Sequence, residues 1–371
     1  MPTRTEPMLY KSVLRPLLFR GDAEKTHEQT LAMLSRMAFL ERALENLYVV
    51  EDHRLETSVG PLKLKNPVGL AAGFDKNGVA IRTWPGFGFG FIEIGAVTAQ
   101  AQPGQPKPRL FRLPEDQALI NRLGFNNEGA EAIGLKLAAL RAERPLKIPL
   151  GINIGRTKIV ATKDAAADYL FTFETLFRYG DYFTLNVSSP NTPELRDLQQ
   201  KGHLANLLAT IQAKNRELAA ASRIPEKPVF VKIDPDMDFA QANEVVAVAK
   251  AEQITGIVAT NASAVLRENL SKPVDQPGGL SGKPLKARAT DFIRHVYRAT
   301  SGTLPIIGAG GIFTADDAYE KIKAGANVVQ ILTGFVYEGP GAVKRINRGL
   351  LKLIERDGFK NIAEAVGRAA G

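Results

Sequence analysis

Residues 305–334 read PIIGAGGIFTADDAYEKIKAGANVVQILTG. Two short apolar runs, 305–308 and 328–332, flank a stretch of helical character at 314–324, with Thr314 placed as N-cap and Asp317 in the first turn. The runs are continuously apolar rather than alternating, which suits strands buried on both faces, as in a parallel sheet. Each passes into small residues, Gly308-Ala309-Gly310-Gly311 and Leu332-Thr333-Gly334. The stretch reads as one β-α-β unit.

The same rhythm runs upstream. Val- and Ile-rich runs stand at 67–71, 91–97, 148–154, 182–187, 229–233 and 256–260, and amphipathic helical stretches follow two of them at 204–221 and 239–251. Together these make eight β-then-α units over about 300 residues, which predicts an α/β fold of the (β/α)8 TIM-barrel type. A doubly wound open sheet is the alternative. Three long connections, 99–116, 188–203 and 262–283, follow strand C-termini, where barrel enzymes place their chemistry and long loops serve as lids.

Residues 1–50 read as a small N-terminal helical extension, set apart from a barrel domain at 51–371. His27, Thr30, Leu31, Leu34, Met37 and Ala38 recur at helical spacing, and the preceding segment mixes Leu9, Val13, Leu14, Leu17, Leu18 and Phe19 with Lys11, Arg15 and Arg20. Such a face suits docking on the main domain and also an anionic membrane surface.

Composition narrows the chemistry. The chain has 371 residues, 44% hydrophobic and 23% charged, ordinary values for a folded protein. Lys and Arg outnumber Asp and Glu by 48 to 39, a net charge of +9 that favours an anionic partner. With no cysteine, disulfides, thiolate zinc sites, iron–sulfur ligands and a cysteine nucleophile are all excluded. The four histidines, at 27, 53, 203 and 295, are too dispersed for a metal cluster. No apolar stretch approaches the roughly 20 residues that cross a bilayer, and Lys11, Arg15 and Pro16 interrupt any secretory signal, so the expected location is cytoplasmic.

Four features carry chemistry. The first run ends Ala71-Ala72-Gly73-Phe74-Asp75-Lys76-Asn77, small residues that admit a flat ligand beside a positive charge. The glycine-rich ends of the last two runs suit a phosphate. Lys232 sits inside an apolar run, which costs free energy unless it has an anionic partner or a task. A Schiff-base nucleophile, a positive charge beside a reduced flavin and a structural ion pair all fit it. Finally, Asn121, Asn153, Asn186, Asn191 and Asn261 gather near strand ends and can read the C=O and N–H edge of a cyclic imide.

In order along the chain, AAGFDKN, IEIGAVT, KPRLFRL, NRLGFNN, GINIG, NVSSPNTP, VKIDPD, ATN, GGLSGKPL, GAGGI and VQILTGF resemble the quinone-dependent (class 2) dihydroorotate dehydrogenases. The resemblance spans essentially the whole chain. It implies an FMN-containing barrel that oxidises dihydroorotate to orotate in pyrimidine biosynthesis and passes the electrons to a membrane quinone. Matched by motif, FMN is expected against Ala72, Gly73, Phe74, Asp75, Lys76, Ala96, Asn153, Asn186, Lys232, Thr260, Gly282, Gly311, Leu332 and Thr333. Orotate is expected against Lys76, Asn121, Arg122, Leu123, Gly124, Phe125, Asn186, Asn191, Asn261 and Ala262.

Ser189 falls at the catalytic base, with an onward proton route through water and Thr192. Relatives of the cytosolic class use cysteine at that position, so the absent cysteines support the quinone class. His27 and Arg112 match polar residues near the quinone head, under helices that meet the membrane. The resemblance implies a peripheral protein on the cytoplasmic side of the cell membrane, touching an anionic membrane surface, with no metal, no nucleic-acid partner and no iron–sulfur subunit.

Three positions depart from the family pattern. Ala96 stands where Ser or Thr is common, Ala262 where a Thr contacts substrate, and Leu332 where a Tyr lies near flavin and quinone. Competing readings are a tRNA dihydrouridine synthase, a phosphate-binding aldolase using Lys232, and a non-enzymatic membrane module.

Overall fold

A computed structural model describes residues 9–192, 194–268 and 270–371. Residues 1–8 of the N-terminal extension and Pro193 of the NVSSPNTP motif lie outside the described residues. Eight parallel strands close into a barrel: β1 (Val68–Leu70), β2 (Phe91–Val97), β3 (Leu150–Ile154), β4 (Tyr182–Asn186), β5 (Val229–Lys232), β6 (Gly256–Ala259), β7 (Ile306–Ala309) and β8 (Val328–Ile331). Each pairs with its chain neighbours, and β8 returns to β1 through Val329 beside Val68. The open-sheet alternative falls, because closure leaves no edge strand.

All eight runs become strands because both faces are covered, inward by one another and outward by helices. The cap expected at Thr314 is present: its hydroxyl accepts from Asp317 N–H while the Asp317 carboxylate accepts from Thr314 N–H, starting the helix Ala315–Lys323. Successive inward residues lie two apart along each strand. Val258, Ile307 and Val328 join Phe91, Tyr182 and Phe230 in an apolar layer at the barrel's N-terminal end. Gly69 and Gly151 make room for two of these rings, since a Cβ there would stand 2.4 Å from Phe91 and 2.1 Å from Tyr182.

Two features go beyond the sequence expectation. A hairpin, Thr57–Val59 paired with Leu62–Leu64, plugs that end of the barrel with Val59 and Leu64. At the opposite end, two of the long connections contribute strands rather than open lids. Leu110–Leu113, Ala118–Asn121 and Gly279–Gly282 form a three-stranded antiparallel sheet over the barrel mouth.

The N-terminal helices dock there too. The helix Ala23–Arg36 starts at Asp22, whose carboxylate accepts from Lys25 N–H. It is fixed by a buried ion pair, Glu24 to Arg109 at 2.7 Å, and by the Thr83 hydroxyl on the Leu34 carbonyl. Ahead of it, Tyr10 donates to the Val336 carbonyl and Phe19 packs edge-on against Tyr337. Docking leaves an apolar set outside, with Leu9, Val13, Leu17, Met33 and Phe39 all exposed. Among the described residues, no helix is long and apolar enough to cross a membrane.

Burial opposes charge on Glu24, but the hydrogen bonds and charge of Arg109 overcome it and hold the carboxyl below its usual range. Removing one partner of such a pair costs about 3–5 kcal/mol. Lys107, 3.4 Å from Glu24, keeps the loss at the lower end. Arg109→Met should therefore lower hydrogen-exchange protection of residues 23–36 by about 3 kcal/mol while the barrel stays protected. A loss no larger than the roughly 0.5 kcal/mol of an exposed pair would show that the helix is held by apolar packing alone.

Candidate active site

One cavity of about 670 Å3 runs from the N-terminal helices into the barrel mouth. Its outer wall includes Leu14, Leu17, Leu18, His27, Thr30 and Met33, and its inner wall includes Ser189, Lys232, Thr260 and Gln330. The cavity is apolar at one end and polar at the other.

Of the residues selected from sequence, Ala72, Gly73, Phe74, Lys76, Ala96, Asn121, Leu123, Gly124, Phe125, Asn186, Ser189, Asn191, Lys232, Thr260, Asn261, Ala262, Gly282, Gly311, Leu332 and Thr333 line this cavity, as do His27 and Arg112. Asp75, Arg122 and Asn153 do not. The Asp75 carboxylate turns into the protein, accepting from Val79 N–H, Ala80 N–H and Trp84 Nε1–H, and so shapes the loop that presents Phe74 and Lys76. Arg122 lies across the Phe111 ring and donates to Gln276 and the Pro108 carbonyl. Asn153 is fully buried and bonds Glu93 and Asn186.

The polar end is a chain of carboxamides with a direction. Glu93, fully buried on β2, accepts from Asn153 Nδ2–H at 2.8 Å, and also from the Tyr182 and Thr184 hydroxyls and Gln330 Nε2–H. Asn153 Oδ1 then accepts from Asn186 at 3.1 Å, and Asn186 Oδ1 accepts from Asn261 at 3.2 Å. Asn261 also donates to the Ser188 hydroxyl at 2.9 Å. A carboxylate only accepts, so every amide in the row is turned one way. On the opposite side, Asn191 donates to Asn121 Oδ1 at 3.3 Å. Ser189, 6% exposed, accepts from Asn191 N–H, and its hydroxyl bonds no carboxylate or imidazole among the described residues.

Three cations address the cavity differently. Burial pushes the Lys76 ammonium down to about 8, partly offset by the charge of Glu24. Lys232 is 6% exposed, hydrogen-bonds none of the described residues, and has its pKa lowered by burial against the pull of Glu93. Arg112 is committed to the N-terminal turn: it donates to the Leu18 and Gly21 carbonyls and lies over the Phe19 ring at 4.8 Å.

Sequence reasoning passed over Glu93 and Gln330. Both are polar residues inside apolar runs, the same anomaly that singled out Lys232. The Gln330 Oε1 is buried and accepts from none of the described residues. At the loops after β7 and β8, Gly310 and Gly311 N–H donate to no backbone carbonyl among the described residues. Gly334 packs so closely on the Ile312 carbonyl that a Cβ would stand 1.9 Å from it. Ser281 and Thr333 hydroxyls meet at 2.8 Å beside these loops.

Residues 54–354 match the family model described as Dihydroorotate dehydrogenase. Proteins named Dihydroorotate dehydrogenase (quinone) from Acaryochloris marina and Gloeobacter violaceus are each 47% identical, over 97% of this chain and 99% of their own. A crystal structure of DHODH from Eimeria tenella in complex with ferulenol has a TM-score of 0.85 and 34% identity, over 94% of this chain and 95% of that one. The ligand-free form from the same organism has a TM-score of 0.81 and 36% identity, over 91% and 98%.

His27 packs edge-on against Phe74 at 5.0 Å, and burial together with the charge of Lys76 pushes its imidazole down to about 4. The ring should therefore stay neutral throughout pH 5–8, although an ordinary histidine titrates near 6.5. Nitrogen-detected NMR of the ring checks this. A midpoint at pH 6 or above would mean that the helix opens to water in solution.

Proposed function

The chain belongs to the quinone-dependent dihydroorotate dehydrogenases, and we propose that it holds FMN in the barrel mouth, uses Ser189 as its base and admits quinone under the N-terminal helices. It is a flavin-dependent oxidoreductase that converts dihydroorotate to orotate in pyrimidine biosynthesis, with a quinone as acceptor. The observation that supports the proposal is one cavity lined by most of the residues proposed for FMN and orotate and by His27 and Arg112.

The residues present fit FMN. The N–H groups of Gly310 and Gly311, which donate to no backbone carbonyl among the described residues, suit a phosphate together with the Thr333 hydroxyl beside them. The orphaned Gln330 carbonyl and the unbonded Lys232 ammonium suit the polar edge of a flat heterocycle. When bound, the flavin supplies the hydride acceptor for C6 and returns the electrons to quinone.

This chain's side chains do the rest. Dihydroorotate must lose a proton from C5 and a hydride from C6. Lys76, mostly charged at neutral pH, holds the substrate carboxylate. The Asn121–Asn191 and Asn186–Asn261 pairs read the imide edge and stabilise negative charge as it develops on the ring. Ser189 receives the C5 proton. An alcohol is a weak base, so the proton moves on, and the buried Thr192 lies three residues away to take it through water. With Ala262 and Ala96 in the wall, no hydroxyl contributes at those positions, and Leu332 offers apolar surface alone.

Residues 1–50 form the membrane-facing quinone segment and 51–371 the FMN-binding barrel domain. The exposed apolar set at Leu9, Val13, Leu17, Met33 and Phe39, beside Lys11, Arg15 and Arg20, supports peripheral binding to an anionic surface on the cytoplasmic side. An apolar quinone then enters without crossing water.

Ser189→Ala should keep FMN and bind orotate, while flavin reduction by dihydroorotate slows by about 10²-fold or more in stopped flow. Near-normal reduction would remove Ser189 as the base. Val13→Glu combined with Phe39→Glu changes two exposed positions that do not line the cavity. That protein should reduce its flavin normally yet lose flotation with anionic liposomes and turn over slowly with long-tailed quinones. Undiminished flotation would contradict the membrane role.

A further inference from the structure

The barrel interior holds an acidic and a basic side chain, Glu93 and Lys232, and neither has an ion-pair partner within 4 Å among the described residues. Along each strand the inward side chains step from an apolar layer to a polar one: Phe91 to Glu93, Tyr182 to Thr184, Phe230 to Lys232 and Val328 to Gln330. Glu93 has four hydrogen-bond donors around its two oxygens, all neutral. Lys232, on β5 three strands round the barrel, has none of the described residues as a hydrogen-bond partner and ends in the cavity wall. Other strands add only neutral groups at this level: Asn153 from β3, Asn186 from β4, Gln330 from β8, and Ala71, Thr260 and Ala309 at the ends of β1, β6 and β7. Tyr182 is ionisable, but burial and the neighbouring carboxylate hold its phenol protonated.

A buried ammonium without a counter-charge gives up its proton. Here the low-dielectric interior lets the Glu93 side chain act on Lys232 across a gap longer than a salt bridge. We propose that Glu93 is the counter-ion of Lys232, a positioning residue that keeps the lysine charged at the cavity floor and thereby favours the reduced, anionic flavin. The proposal rests on the flavin lying against Lys232. Glu93 touches neither substrate nor cofactor; it acts through the lysine.

The sign of the effect separates this role from a purely structural one. If Lys232 were charged without help, removing a nearby negative charge would raise the flavin potential. If Glu93 sustains that charge, Glu93→Gln leaves a neutral lysine at pH 8, and the potential falls. The expected size is about tenfold in the two-electron reduction equilibrium, or about 30 mV, in the same direction as Lys232→Met. Acidification to pH 6 favours the protonated amine, so Glu93→Gln should move back toward wild type and Lys232→Met should not.

The experiment is spectroscopic dye equilibration of the holoenzyme at both pH values, with denaturant unfolding of both single variants and the double variant. Counter-ions should give the double Glu93→Gln/Lys232→Met protein more stability than the two single losses sum to. If Glu93→Gln alone fails to fold, a folded double variant supports the pairing and an unfolded one overturns it. An unchanged or raised potential in Glu93→Gln at pH 8, alongside a lowered one in Lys232→Met, also overturns the pairing while leaving the flavin site intact. An unaltered potential in Lys232→Met removes the premise and the proposal with it.

Discussion

Barrel closure is the constraint from which the rest follows. Eight parallel strands without an edge must point every second side chain into one shared interior, and must end on one common rim. The interior is too narrow to stay empty, so it fills in layers. Phe91, Tyr182 and Phe230, with the hairpin beneath them, make the floor watertight. Above that floor stand the polar groups, most of them paired with one another. Parallel strands also bring every βα loop to the same end, so the three long connections have nowhere to meet except over the mouth.

That geometry separates two physical environments within one cavity. The inner end is a polar network whose direction starts from a single buried carboxylate and passes through Asn153 and Asn186 to Asn261. These bonds fix its donors and acceptors in one orientation, which is the condition for stabilising charge that develops during reaction. The outer end is walled by Leu14, Leu17, Leu18 and Met33 from helices that belong to no barrel strand. One space thus offers a polar end suited to a charged, planar substrate and an apolar end suited to an apolar electron acceptor. Arg109 and Arg112 hold the N-terminal segment at Glu24 and Leu18, and Tyr10 of that segment holds the Val336 carbonyl of the barrel domain.

The barrel was legible because burial on both faces leaves a mark that survives translation into sequence: uninterrupted Val and Ile runs, closed by small residues. The Thr314 cap was legible for a similar reason, since its partners lie three residues apart. The hairpin at 57–64 and the sheet over the mouth left no such mark. Their strands are three or four residues long, and the sheet joins segments separated by more than a hundred residues. Lys232 stood out as a charge in an apolar run. Glu93 carried the same signal but sits in a motif, IEIG, that the resemblance absorbs whole. Arg112 reads from sequence as a ligand-facing residue, and only the folded chain reveals that it also ties the N-terminal turn through the Leu18 and Gly21 carbonyls.

The central claim is that electrons pass from dihydroorotate through one bound flavin to a quinone, within a single chain. Anaerobic addition of dihydroorotate to the purified yellow protein, followed by quinone, tests it directly. The account predicts that the flavin absorbance bleaches in one phase, that orotate appears in equal amount, and that quinone restores the colour. A flavin that dihydroorotate leaves oxidised, or a reduced flavin that quinone cannot reoxidise, would contradict it.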